Sequence, residues 1–440
     1  MNISRRNMLK TALFGSGFVG LRSMVTGIPI AALIGGRIDD AMAEDITEEP
    51  QSLVLFTSQA GDPFNANTPG CYGVSGVYNN PAASMAPTQM MLGDVQTTAA
   101  KPWAEVPQRF LDRTTFIHHR TYFNTHPAYT KVLTLAGSAK SAGGNGADQI
   151  GSVLSSELAP LVDTLQSEPL ALSNAELSFQ GRALQSLRPS MLRQMFAPLG
   201  GVELDLQLLR DQTLDDMNVL LKEQGTHAQR AWLDRHALSR EQVRAIDETL
   251  LERFAMLEDD SPMNQVRAAV TLILMKVTPV IAIQIPFGGD NHKDAGLVKE
   301  RDETISGVAT WQFLLEELET AGLQDKVTVA NLNVFGRTLR NQGGSKGRDH
   351  NLNHHVMSIC GKHVKAGVVG GIEPSGNDYG AMSIDSVTGQ GVPGDMGDIV
   401  RDLTLQSAAH TLGRVLGLPQ ERLDERIEGG TPILSAIGGL

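Results

Sequence analysis

Short apolar runs separated by long helix-like stretches constrain the fold of this 440-residue chain more than any other feature. Runs of this length, bounded by turn residues, are typical of buried strands. The chain between the third and fourth runs is long enough for a crossover helix at residues 306–321. Strands and helices in this order predict an α/β fold with a largely parallel sheet and helices on both faces. The runs are residues 52–57, 114–119, 277–287, 327–335 and 356–360.

A long segment between the second and third runs has a different pattern. Between residues 208 and 221, leucines and a methionine recur at helical spacing with charged residues between them. This spacing is typical of amphipathic helices. We therefore expect one α/β domain at residues 44–440 that includes a mostly helical segment at about residues 150–270.

The amino terminus predicts export. Residues 4–10 read S-R-R-N-M-L-K, which resembles the twin-arginine signal S-R-R-x-F-L-K, and residues 41–43 offer an A-x-A cleavage site. A membrane anchor is the alternative, but neither apolar stretch, 11–21 or 23–36, reaches the roughly 18 residues that a span needs. We expect a signal peptide at residues 1–43, the twin-arginine export machinery as a partner, a periplasmic or otherwise exported product, and no stable membrane anchor.

Charge and cysteine content restrict the partners and the chemistry. The formal net charge of −12 argues against a nucleic-acid partner and against binding to anionic membranes. The chain has two cysteines, Cys71 and Cys360, far apart in the sequence. One disulfide formed after export and two buried thiols are both compatible with this count.

Polar residues that follow four of the apolar runs are the candidates for a functional site. The carboxyl ends of strands in open α/β sheets are where ligands gather. Carboxylates and imidazoles are the ligands that a divalent metal site requires. The candidates are Asp62 after the first run, Thr125 and His126 after the second, Asp290 and His292 after the third, and Asp349 and His350 after the fourth.

These residues suggest a division of labour around a divalent metal of unknown identity. Asp62, Asp349 and His350 would hold one ion, whereas Asp290 and His292 would hold a second or help to hold the first. Thr125 would be a nucleophile activated by the metal. Arginine and lysine side chains would bind an anionic substrate group, and the candidates are Arg337, Lys346 and Arg348.

Each candidate also has a purely structural interpretation. Asp-Asn and Asp-Pro pairs are commonly turns or helix caps, and Thr125 precedes Pro127 as a helix cap would. His354, His355 and His363 lie beside a strand, where a core or surface histidine is the alternative to a further ligand. The joint occurrence of the clusters, rather than any one of them, favours the functional interpretation.

Several of these segments resemble a known family. Residues 335–338 (F-G-R-T) and 347–350 (G-R-D-H) are similar to the E-F-G-R-T and G-R-D-H motifs of the bacterial "domain of unknown function 1501" family. That family comprises mostly twin-arginine-exported proteins placed in the alkaline phosphatase and sulfatase superfamily. Residues 290–292 resemble its W-D-T-H and residues 124–126 its S-H, although Gly289 and Val334 replace a tryptophan and a glutamate of the family pattern.

The resemblance implies an alkaline-phosphatase-like core. It also implies Thr125 in the nucleophile position and a metal site formed by Asp62, Asp290, His292, Asp349 and His350. The leading hypothesis is an exported metal-dependent hydrolase of phosphate or sulfate esters that acts on a small anionic ester substrate. The alternative is a non-catalytic binding or envelope-assembly protein on the same fold.

Overall fold

The computed structural model describes residues 49–439 apart from 59–60, 138–147, 173–176, 180, 342–345 and most of 196–247. The predicted signal peptide at residues 1–43 and the centre of the predicted helical segment lie outside the described residues. Around that centre the described helices are Ile150–Val162, Pro189–Met195, Glu248–Ala255 and Pro262–Leu274.

A seven-stranded sheet forms the centre of the domain. Its spatial order is β7-β2-β6-β5-β1-β4-β3, and β6 is antiparallel to both of its neighbours whereas every other neighbouring pair is parallel. The predicted largely parallel sheet is therefore confirmed. The strands are β1 (Ser52–Thr57), β2 (Thr114–His119), β3 (Leu170–Ala171), β4 (Val280–Gln284), β5 (Val327–Asn331), β6 (His355–Cys360) and β7 (Gly367–Val369).

Helices cover both faces of this sheet, as predicted. Successive side chains of a strand point to opposite faces, so Val54 and Phe56 enter one hydrophobic core whereas Leu53 and Leu55 enter the other. The first core receives side chains from the helices Lys101–Ala104, Pro262–Leu274 and Val298–Thr320, and the second from Tyr129–Gly137, Ile150–Val162 and Thr404–Val415. Burial on both faces explains why strands such as β1 and β4 are mostly apolar.

The backbone pairing between β5 and β6 is incomplete. These strands pair only through Ile359 and Cys360 of β6. Further along, the side-chain amide of Asn331 takes the place of backbone, because its Nδ2 donates to the carbonyl of Val356 at 3.0 Å and its Oδ1 accepts from the amide of Ser358 at 2.6 Å. The two strands thus separate towards the edge of the sheet where β1, β2, β4 and β5 end.

The remaining elements surround the sheet. Both cysteines are free and buried, so the thiol alternative applies. None of the helices in the described part of the chain has the length and apolar character needed to cross a bilayer. The other helices are Phe64–Asn67, Gln108–Leu111 and Gln420–Arg426, and the hairpins are Pro87–Leu92 with Val95–Ala100, Ser178–Phe179 with Arg182–Ala183, Gly336–Arg337 with His350–Asn351, Ile372–Ser375 with Asp378–Ala381, and Ser383–Ile384 with Gly391–Val392.

Candidate metal centre

Four side chains meet at the edge of the sheet where the parallel strands end. They are His126, Asp290, His292 and His350, and one ligand atom from each lies within 4.8 Å of all the others. We call this group the exposed centre. The structure thus brings together three of the residues predicted as metal ligands and adds His126, which the sequence placed nearby without a ligand role.

The two central imidazoles face each other, and His350 presents an unprotonated nitrogen to His292. His350 Nδ1 donates to the carbonyl oxygen of Asn124, which leaves Nε2 as the acceptor nitrogen. The carboxylate of Asp349 lies 3.4 Å from His292 Nδ1 and favours the proton on that atom. The two Nε2 atoms are only 2.7 Å apart. Imidazoles oriented through Nδ1 by a carbonyl or a carboxylate are typical of metal ligands.

Asp290 supplies the negative charge of the exposed centre. Its carboxylate lies 3.6 Å from His126 Nε2 and 3.5 Å from His292 Nε2. Burial raises the pKa of Asp290, but Arg337 and the two histidines outweigh burial and hold this pKa below its usual range. Burial lowers the pKa of His350, and Arg337 adds to the effect. At neutral pH the centre therefore contains a carboxylate and an uncharged imidazole, which are the forms that bind metals.

A completely buried arginine lies directly against this group. Arg337 donates from Nε to the carbonyl of Gly61 at 2.8 Å, and its Nη2 lies 3.2 Å from Asp290 Oδ1. Its Nη1 lies 3.2 Å from His292 Nε2. Burial lowers the pKa of Arg337, yet an arginine this basic stays protonated in proteins. The guanidinium is thus a fixed positive charge beside the ligand atoms.

Phe335 forms the apolar floor of the exposed centre. Its ring stacks on His350 with centroids 4.1 Å apart and meets the edge of His126 at 5.2 Å. Gly61 makes room for this ring, because a Cβ there would lie 2.0 Å from Phe335 Cε2. The backbone of Gly61 also has a φ of +65°, which side chains disfavour. Glycine at position 61 is therefore needed for the packing of Phe335 beneath the centre.

A buried ion pair holds the two ligand-bearing loops together. Glu300 accepts from Arg348 Nε at 2.7 Å and from Asn291 Nδ2 at 3.1 Å, so it joins residues that lie directly beside Asp349 and beside His292. The backbones of the two loops also come close together at Gly347, because a Cβ there would lie 1.7 Å from the carbonyl oxygen of Asn291.

This arrangement bears on the catalytic role predicted for Arg348. Its Nη1 donates to the carbonyl of Thr338 and its Nη2 to the carbonyl of Tyr78, while Glu300 takes Nε and Nη2. Every nitrogen of the guanidinium is thus occupied inside the protein. Of the cationic residues predicted to bind an anionic group, the structure places Arg337 against the exposed centre and holds Arg348 away from it.

Breaking this ion pair is expected to destabilise the protein strongly. The substitution Glu300→Gln should lower the free energy of unfolding by about 3 kcal/mol, because it leaves the Arg348 charge buried without its carboxylate. Chemical denaturation monitored by circular dichroism measures the loss. Glu319→Gln is the matched control on the same helix, since it removes an exposed pair with Arg109 that should contribute no more than about 1 kcal/mol. Equal losses in the two variants would contradict the assigned role of Glu300.

Asp62 lies in different surroundings from the exposed centre, whereas Thr125 lies at its rim. Asp62 is buried, accepts from Asn333 Nδ2 at 2.8 Å, and lies 3.7 Å from His355 Nε2. The predicted grouping of Asp62 with Asp349 and His350 is therefore not the arrangement in the structure. Thr125 is exposed at the rim of the centre beside His126, and its side chain makes no capping bond to the turn that follows.

Comparisons with solved structures give low similarity scores. The lipoteichoic acid synthase LtaP from Listeria monocytogenes has 10% identity and a TM-score of 0.39, covering 92% of this chain and 81% of that one. The sulfatase PsFucS1 from Pseudoalteromonas sp. has 11% identity and a TM-score of 0.34, covering 95% and 79%. A third structure, Ps i-CgsB, has 12% identity and a TM-score of 0.30, covering 87% and 75%. The fold assignment therefore rests on the sheet itself.

Sequence comparison gives a family match over part of the chain. No curated protein matches the chain. The matched segment contains Asp290, His292, Arg337 and His350, so it spans three of the four members of the exposed centre. The resemblance noted from the motifs is thus confirmed there: residues 210–383 match the family described as "Protein of unknown function (DUF1501)".

Proposed function

We propose that this protein is an exported, metal-dependent hydrolase of phosphate or sulfate esters. The observation that carries the proposal is the exposed centre, in which imidazole Nε2 atoms and a carboxylate converge beside a fixed guanidinium. Three nitrogens and one carboxylate form a ligand set that suits Zn²⁺ or a similar first-row dication. When bound, such an ion would stabilise charge that develops on the ester oxygens.

The protein's own residues have separate roles in this proposal. Asp349 and the carbonyl of Asn124 orient His292 and His350 so that their Nε2 atoms face the ion. Arg337 adds positive charge that favours an anionic ester group, and its burial protects that charge from screening by solvent. Thr125, whose exposed hydroxyl lies at the rim, is our candidate for the nucleophile that attacks the phosphorus or sulfur atom.

The proposal predicts hydrolysis that depends on added metal. Protein treated with a chelator should not hydrolyse generic aryl phosphates or aryl sulfates, and activity should return with one of Zn²⁺, Mn²⁺ or Co²⁺. Release of the aryl alcohol measures the rate, and His410→Gln, remote from the centre on the helix Thr404–Val415, is the control that should retain it. Fully metal-loaded protein that hydrolyses neither class of ester would refute the proposal.

A second candidate function is a non-catalytic binding or envelope-assembly protein. One observation favours it: Arg337 Nη1 already lies 3.2 Å from the His292 nitrogen that a metal would need. In this alternative the guanidinium takes the place of the ion as the cation beside Asp290. Protein that stays metal-free at saturating Zn²⁺, with an unchanged unfolding temperature, would support this candidate over the hydrolase.

Export and the alkaline-phosphatase-like character of the core are supported by sequence alone. The twin-arginine pattern at residues 4–10 and the cleavage site at residues 41–43 lie outside the described residues. We propose a periplasmic or otherwise exported location on this basis. The motifs at residues 335–338 and 347–350 support a core of the phosphatase and sulfatase type.

A further inference from the structure

The segment that leaves β2 contains a residue in a strained backbone conformation. Tyr122 has a φ of +70°, in the left-handed region that residues other than glycine rarely adopt. Five non-glycine residues of the described part of the chain have a positive φ, and Tyr122 is the one aromatic residue among them. Strained residues persist only where their surroundings hold them, and they concentrate at functional sites. The contacts of Tyr122 therefore indicate its role.

The inner side of this segment is tied to the chain that carries His350. The backbone amides of Thr121 and Tyr122 both donate to the carbonyl of Leu352, at 3.0 and 3.1 Å. One carbonyl oxygen can accept both bonds because it has two lone pairs. Leu352 lies two positions after His350, so the shared carbonyl fixes where the segment turns relative to that ligand.

The outer side of the segment is anchored on residues 402–404. The Tyr122 hydroxyl donates to the carbonyl of Asp402, and Arg120 forms an ion pair with the Asp402 carboxylate. The guanidinium of Arg120 also lies over the Tyr122 ring, 4.9 Å from its centroid, and Thr404 Oγ1 accepts from the backbone amide of Arg120 at 3.1 Å. Burial raises the pKa of Tyr122 to about 12 and Asp402 adds to the rise, so the hydroxyl remains a donor at neutral pH.

The anchored segment ends in two groups of the exposed centre. Asn124, two positions after Tyr122, supplies the carbonyl that accepts from His350 Nδ1 and leaves Nε2 unprotonated. His126 follows two positions later, and its ring lies 4.8 Å from that of His350 between centroids. Its Nε2 lies 3.6 Å from the Asp290 carboxylate. A movement of this segment would therefore shift one ligand and change which nitrogen of another carries the proton.

We propose that Tyr122 is a positioning residue of the exposed centre. Its strained turn, held by Leu352 on one side and by Asp402 on the other, keeps the Asn124 carbonyl against His350 Nδ1. The lone pair of His350 Nε2 therefore stays directed at the ion position, and little ordering is left to oppose binding. This role rests on the proposed function only in so far as the exposed centre binds a metal, and it does not depend on the reaction.

A second tyrosine provides a matched control for a test of Zn²⁺ affinity. Tyr379 also has an arginine over its ring, with Arg340 4.8 Å from the centroid, and its hydroxyl also donates to a backbone carbonyl, that of Ser75 at 3.3 Å. Its backbone is not left-handed. In full-length protein, Tyr122→Phe should weaken Zn²⁺ binding about tenfold, as expected when a group that orients a ligand is lost. Tyr379→Phe should bind Zn²⁺ with wild-type affinity.

The ring nitrogens of His350 give a readout that a general loss of stability would not change. In ¹⁵N NMR of chelator-treated wild-type protein, Nδ1 should have the shift of a protonated nitrogen and Nε2 that of an unprotonated one. In Tyr122→Phe the two shifts should move towards each other, because the Nδ1–H form loses its fixed carbonyl partner. In Tyr379→Phe both shifts should stay as in the wild type.

Tyr122→Asn tests the same role if Tyr122→Phe fails to fold, because asparagine tolerates a left-handed backbone but cannot reach the Asp402 carbonyl in the same way. It should give the same change in the His350 shifts. Unchanged shifts in the Tyr122 variants, with or without a loss of affinity, would overturn the proposal. Wild-type protein that does not bind Zn²⁺ at the exposed centre would instead contradict the proposed function, and the His350 shifts alone would then decide the role of Tyr122.

Discussion

Replacing His292 with alanine is expected to weaken Zn²⁺ binding at the exposed centre roughly a hundredfold to a thousandfold. Sites with four protein ligands bind Zn²⁺ with about 10–16 kcal/mol, so one ligand contributes roughly 3–4 kcal/mol. His350→Ala should have a comparable effect, because its Nε2 faces the same point. Competition with a chromophoric chelator measures these affinities.

The same measurement distinguishes a direct ligand from a residue that orients one. Asp349 lies beside His292 Nδ1 rather than among the four converging ligand atoms. Asp349→Asn should therefore weaken binding only about 10- to 100-fold, as expected for a partner that positions a ligand. His363 lies outside the exposed centre, so His363→Gln should bind Zn²⁺ with the affinity of the wild type. Wild-type affinity in His292→Ala would rule out the exposed centre as a metal site.

Acidification from about pH 7.5 to about pH 4 is expected to remove about 6 kcal/mol of stability. Burial lowers the pKa of His118 from 6.5 to about 4, and burial together with His355 lowers the pKa of His119 to about 3. Both histidines are neutral in the folded protein and take up protons on unfolding once the pH falls below 6.5. Each then contributes roughly 3 kcal/mol, present in full above pH 6.5 and lost progressively as the pH falls towards the folded-state values.

The loss should be visible as a steep pH dependence of denaturant unfolding. The measurement needs a chelator, so that bound metal ions do not contribute to the pH dependence. A loss of this size is comparable to the whole stability of many domains, so we expect the protein to unfold near pH 4. His119→Gln should reduce the pH dependence by about half. Stability that is flat from pH 7.5 to pH 4 would contradict the assigned protonation states.

The strand pattern of the sequence predicted much of the sheet. β1 and β2 have the predicted bounds, residues 52–57 and 114–119, because six consecutive buried residues leave a recognisable strand signal, although only Phe116 and Ile117 of β2 are apolar. β3 and β7, with two and three residues, are too short to leave such a signal. The antiparallel direction of β6 was also not predicted, since a buried strand has the same composition in either direction.

The candidate ligands were predictable in part for a similar reason. Asp290, His292 and His350 follow strands, and parallel strands end at one edge of a sheet whatever their separation in the chain. The direction in which a side chain points cannot be predicted from the position of its residue after a strand. Arg337 and Arg348 lie eleven positions apart in similar Gly-rich sequence, and their roles differ because Glu300 arrives from a distant helix and takes Arg348. Among the described residues, His119 Nε2 and both ring nitrogens of His355 are buried without a hydrogen-bond partner. This too depends on distant residues that no local sequence pattern specifies.

The incomplete pairing of β5 with β6 has a consequence for how the domain would come apart. Towards the beginning of β6, a single asparagine side chain replaces the backbone pairing with β5, so the two strands should separate easily there. The amides of β6 near Val356 should therefore exchange with solvent sooner than those of β1, which is paired along both edges. Asp62, which follows β1, and His355, which begins β6, lie on opposite sides of this incomplete pairing. Separation of β5 from β6 would therefore pull the Asp62 carboxylate away from His355 Nε2, which lies 3.7 Å from it, and would expose both groups to water.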